Sequence, residues 1–164
     1  MMFRVNSSEK LRIQKNGGIS FNGDTAAANA LDDYEEGNFH IVAGSGSNAT
    51  FYDANDAGSY TKIGRTVTIA GQLRVSGGSG NVRIGLPFQC AASTDNSNMA
   101  FAASIATYTY NAQNSSDCDG LVILIDSNET YARFMEIRDN NGWTSLDVDV
   151  DGYIQFTITY FTTA

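Results

Sequence analysis

The sequence predicts an all-β protein, a β-sandwich or jelly-roll-like domain with a short N-terminal β-stem and one short helix. Three observations lead there. The 164 residues include 16 Gly and 1 Pro beside abundant Thr, Ser, Asn, Tyr and Phe, a mix that favours short strands and tight turns. Apolar and polar residues alternate over Thr66–Val75 and again over Tyr153–Thr162. At the N-terminus, Phe3-Arg4-Val5, Leu11-Arg12-Ile13 and Ile19-Ser20-Phe21 repeat an apolar–polar–apolar triplet every eight residues.

Taken in order, residues 1–23 read as a stem of three tiny strands ending in the turn Asn22-Gly23-Asp24. Strands this short cannot close a core alone and need stacked neighbours or other copies of the chain. Residues 24–37 read as a helical junction, with Asp24 as N-cap, a helix from Thr25 to about Glu36 and Gly37 as its stop. The acidic run Asp32-Asp33-Tyr34-Glu35-Glu36 opposes the dipole of that helix, which should keep it short. Its alanines would let helices approach around a symmetry axis, with Leu31 and Tyr34 as larger plugs.

Residues 38–164 read as the sandwich head. Alternation within Thr66–Val75 predicts a strand with a slip, hence a bulge, at Gly71. Asn81–Ile84 and Thr107–Tyr110 follow the same pattern, and the unbroken run Leu121–Ile125 predicts a strand buried on both faces. Tyr131–Ile137 and Thr144–Val150 are expected as a hairpin about Asn140-Asn141-Gly142. Ser76–Gly80 and Ser93–Asn98 are expected as loops.

Charge narrows the function. The net charge is −8, yet residues 1–15 carry Arg4, Lys10, Arg12 and Lys15 against Glu9, a local +3 that leaves −11 on the remainder. Such a body repels phosphate backbones, so no nucleic-acid partner is expected. No run of about 18 apolar residues is present, so no membrane insertion is expected, and Met1–Arg4 does not open a secretory leader. Cys90 and Cys118 are too few for a disulfide framework and are expected as buried thiols.

No cofactor, metal or catalytic motif stands out. Asp147-Val148-Asp149-Val150-Asp151-Gly152 opens like a calcium loop, but Ile158 stands where its bidentate Glu belongs. The run alternates as a strand, with Leu146, Val148 and Val150 inward and the aspartates outward, and reads as a solvated edge. His40 is the single histidine and shows no partners along the chain. Trp143, Tyr108, Tyr110 and Tyr131 are candidate stacking platforms for a sugar ring, and Asn96, Asn98, Asn111 and Asn114 offer loop amides.

Ala28-Asn29-Ala30-Leu31-Asp32-Asp33-Tyr34-Glu35-Glu36-Gly37 resembles a block common in tail-fibre and other virion structural proteins of marine bacteriophages, where it joins a stem to a C-terminal β-domain. Phe21-Asn22-Gly23-Asp24, Tyr60-Thr61-Lys62-Ile63-Gly64-Arg65-Thr66-Val67 and Ile84-Gly85-Leu86-Pro87-Phe88 fit the same pattern, and Leu11–Ile13 with Asn16–Ile19 resembles the fibre-stem repeat. The chain departs from the pattern at Asn38-Phe39-His40-Ile41, where the family has Thr-Trp-Thr-Pro, and it is expected to act without the large N-terminal anchor domain of a full tail fibre. The resemblance implies a homotrimeric virion protein, assembled in the host cytoplasm, that binds a host surface glycan or protein without a chemical step. Trimer and attachment contacts would fall on Phe3, Arg4, Val5, Leu11, Arg12, Ile13, Ile19, Phe21, Leu31 and Tyr34, with residues 1–23 meeting other virion proteins. A capsid decoration or head-spike protein is the alternative, and a glycan-cleaving tailspike the third reading.

Overall fold

The computed structural model describes the chain except residues 16, 27–29, 32, 93–102, 109–117, 139–140 and 164, and leaves undescribed the side chains at 108, 118, 119 and 141. The triplets form a three-stranded antiparallel sheet of β1 (Met2–Val5), β2 (Ser8–Ile13) and β3 (Ile19–Phe21). Asn6 and Ser7 close the first hairpin with φ of 50° and 65°, the left-handed backbone that a two-residue turn requires. Phe3 stands opposite Leu11, Leu11 opposite Phe21, and Ile13 opposite Ile19.

Among the described residues, the expected helix from Thr25 to Glu36 does not appear, and its end is a strand. Ala26 does donate its backbone N–H to Asp24 Oδ1 at 2.8 Å, so the cap works as a local turn. Leu31 then bridges back to Ile19, and Tyr34–His40 becomes strand β4. This strand pairs residue for residue with β6 (Ala57–Ile63), from Tyr34 opposite Ile63 to His40 opposite Ala57. A seven-residue ladder outweighs the capping signal of a helix whose acidic end opposes its own dipole.

The remaining strands are β5 (Thr50–Phe51), β7 (Thr66–Gly77), β8 (Arg83–Gly85), β9 (Ala103–Tyr108), β10 (Cys118–Leu124), β11 (Tyr131–Arg138), β12 (Asn141–Ser145) and β13 (Tyr153–Phe161). One sheet runs β4-β6-β7-β13-β9, with β5 on the far end of β7. The other runs β10-β11-β12, with β8 on Tyr131–Arg133 of β11. Val67, Ile69, Leu73 and Val75 of β7 and Ile154, Phe156, Ile158 and Tyr160 of β13 pack against Ile84, Ile123, Ala132, Phe134 and Leu146. Phe134 and Phe156 meet edge to face across the sandwich, 5.8 Å between centroids. Of the apolar run Leu121–Ile125, Ile123, Leu124 and Ile125 are buried, while Leu121 and Val122 are half-buried.

Three further expectations are corrected. Gly71 forms no bulge; it pairs in register with Gly58 and Phe156. A Cβ there would come within 2.9 Å of Ile41 and Phe156, so glycine makes room for the core. The expected strand Thr144–Val150 stops at Ser145. Leu146 is buried and Val148 packs on the core, but Val150 is 53% exposed because the chain turns there, with Asp151 at φ 70°. Finally, β7 runs through Gly77 into the segment expected as a loop. Cys90 is a free, buried thiol, and the Cys118 side chain lies outside the described residues.

Tyr160 ties the core to the only proline segment. Its hydroxyl donates to the Phe88 carbonyl at 2.9 Å and accepts from the Phe88 N–H at 3.3 Å, while burial pushes its titration well up. Tyr160→Phe keeps the ring and orphans both backbone groups. It should cost about 1–3 kcal/mol in urea unfolding; a change under about 0.5 kcal/mol would show that these bonds add nothing.

Candidate functional site

Alternation sends every second side chain of the larger sheet outward. Ala57, Gln72, Gln155 and Ala106 form one cross-strand row, and Ser59, Ala70, Thr157 and Ser104 form the next. Small residues beside longer ones leave a hollow of about 290 Å³ lined by Gln72, Ala106, Thr107, Tyr153 and Gln155. A second hollow of about 280 Å³ shares Gln72, Ala106 and Gln155 and adds Ala70, Ser104 and Thr157. Gln155 Nε2 donates to Gln72 Oε1 at 2.7 Å, which leaves the Gln72 amide nitrogen and the Gln155 carbonyl oxygen without a partner among the described residues. The Arg74 guanidinium lies 5.1 Å from the Tyr153 ring centre and 4.5 Å from that of Tyr52, and bonds Asp151 at 2.9 Å. Among the described residues the lining is uncharged, in a chain of net charge −8. Neutral hydroxyl-bearing ligands suit such a surface better than ions do.

Of the sequence-derived candidates for sugar contact, the two with described side chains, Trp143 and Tyr131, do not line these hollows. Trp143 is half exposed on β12, and Tyr131 on β11 is half buried with the Arg83 guanidinium 5.1 Å above it. Tyr108 stands opposite Tyr153 on β9, its side chain undescribed. Tyr110, Asn96, Asn98, Asn111 and Asn114 lie outside the described residues. Gln72 and Gln155 sit in the two best-alternating stretches at outward positions, which was a visible signal. Their pairing across 83 residues was not.

The N-terminal sheet is inverted. Its most buried position is a polar one, with Ser20 2% exposed beside Arg12, which bonds Glu9 at 2.7 Å. Its apolar side chains look out: Phe3 is 48% exposed, Val5 58%, Ile13 45% and Phe21 52%. Leu11 and Ile19 are half buried within it, and Arg4 is exposed. Leu31 is also largely exposed, and Tyr34 heads an apolar row with Ile63 and, beyond Thr66, Phe161.

Two carboxylates of the acidic block gather on one cation. Lys62 Nζ pairs with Asp33 and, at 3.1 Å, with Glu35, and lies 5.6 Å from the centre of the Phe88 ring. The bond to Lys62 holds the Asp33 carboxyl below its ordinary 3.8, and the bond to Asp33 holds the Lys62 ammonium above its ordinary 10.5. Asp33 therefore contributes stability above pH 3.8 that is lost as pH falls through its lowered value. Lys62 contributes stability below pH 10.5 that is lost as pH rises through its raised value. Lys62→Met should lower the urea midpoint by a constant amount between these limits, and the gap should shrink beyond either one. A gap independent of pH would mean the ion pairs contribute nothing.

No family model matches the chain, and neither the curated proteins nor the solved structures contain a match.

Proposed function

We propose that the chain is a phage virion structural protein, a short trimeric fibre or tail-tip component whose sandwich head adheres to the host surface. The observation that carries the reading is the inverted N-terminal sheet with Phe3, Val5, Ile13 and Phe21 half exposed. Full burial of such a side chain is worth about 1.5–3 kcal/mol, so copies of the chain gain most by packing these faces together. The resemblance of the stem and junction blocks to phage fibres points the same way. The head then offers its neutral hollows to a surface glycan, and three copies supply avidity for individually weak sites. Binding needs no chemical step. Capsid decoration is the second reading, favoured by the exposed basic residues Arg4, Lys10 and Lys15 on and beside the same sheet.

Light scattering on the full chain tests the assembly. The expected mass is three chains of 17.6 kDa, falling to one chain in Phe3→Ser/Phe21→Ser with β-structure retained. A monomeric wild type overturns the trimer. Binding of the labelled protein to host cells should weaken about tenfold in Gln72→Ala/Gln155→Ala, the loss expected for one or two hydrogen bonds. Antibody label over the phage head instead of the tail would favour decoration.

A further inference from the structure

We infer that His40, Asp53 and Asp56 form a binding site for a zinc-class divalent cation. His40 ends β4 and points outward, Asp53 opens a 3-10 turn at Asp53–Asn55, and Asp56 follows that turn immediately before β6. The pairing of His40 with Ala57 and the bond from Ile41 N–H to the Asp56 carbonyl, 2.7 Å, fix strand end and turn against each other. One donor atom from each of the three side chains lies within 4.8 Å of the other two.

The state of Asp56 points to a ligand. Its side chain is 5% exposed, and its ion partner is His40 Nδ1 at 3.2 Å, on an imidazole that is itself 59% exposed. Asp53 brings a second carboxylate beside it, and like charges so close repel. A divalent cation removes that repulsion. Imidazole nitrogen and carboxylate oxygen are both ligand types that zinc accepts, and three such donors leave a fourth tetrahedral position open to water. Calcium, which takes six to eight oxygens, is poorly served by them. Bonds of about 2.1 Å place tetrahedral donors about 3.4 Å apart. His40 and Asp53 are exposed and Asp56 is buried, so the first two are the side chains that would close around the third. The bound ion would fasten the end of β4 to the turn that launches β6.

The test uses the full chain, freed of metal with a chelator and titrated separately with Zn²⁺ and Ca²⁺. The expected result is one Zn²⁺ per chain by calorimetry, a melting temperature that rises with Zn²⁺, and no comparable rise with Ca²⁺. His40→Gln and Asp53→Asn change exposed residues; each should fold, melt near the metal-free wild type and bind Zn²⁺ at least about tenfold more weakly. No saturable Zn²⁺ binding, equal binding of Ca²⁺, or unchanged Zn²⁺ affinity in both variants would overturn the site.

Discussion

Everything in this molecule hangs on the pairing of β7 with β13. Nine consecutive registers, from Tyr153 opposite Arg74 to Phe161 opposite Thr66, set which side chains of the central strands face in. Val67, Ile69, Leu73, Val75, Ile154, Phe156, Ile158 and Tyr160 enter the core through it. A slip of one residue would turn either strand's set outward. Each such side chain is worth about 1.5–3 kcal/mol when buried, and a whole domain is stable by about 5–15 kcal/mol. Exposing even four of them would consume much of that margin, so the register is firmly set. The same register places Gln72 against Gln155 on the opposite face, so the core and the hollows are two products of one ladder.

The parts of this fold that could be read in the sequence are those whose cause is local and periodic. The eight-residue triplets became three paired strands, and alternation located β7 and β13. What could not be read depends on partners distant in sequence. Asp24 makes the turn its side chain promises, but the fate of Tyr34–Glu36 is decided by Ala57–Ile63, which no capping rule includes. Gly71 looks like a break in an alternating pattern, yet the pattern continues through it with the Cβ omitted for Ile41 and Phe156. The aspartates after Leu146 alternate like a strand, but the chain turns at Asp151.

The candidate sites divide along the same line. Apolar residues at the N-terminus announced that something must cover them, and Phe3, Val5, Ile13 and Phe21 remain about half exposed. The neutral hollows and the His40 cluster need strand pairing to exist at all: His40 looks solitary along the chain and finds Asp56 only because β4 and β6 run antiparallel. Trp143 and the tyrosines drew attention by composition, whereas the hollows arise where alanines sit beside glutamines. The resulting picture has two surfaces of opposite character. Apolar side chains gather on the stem and along the adjoining row Tyr34, Ile63 and Phe161, while uncharged polar groups line the face beyond.

The central claim is that the stem surface is covered in solution and the hollowed face is free. Nuclear magnetic relaxation of the full chain in the presence of a soluble gadolinium chelate measures both at once. The expected result is protection of Phe3, Val5, Ile13 and Phe21 together with strong relaxation at Gln72, Gln155 and Thr157. Strong relaxation across the stem with protection of the hollowed face would contradict it.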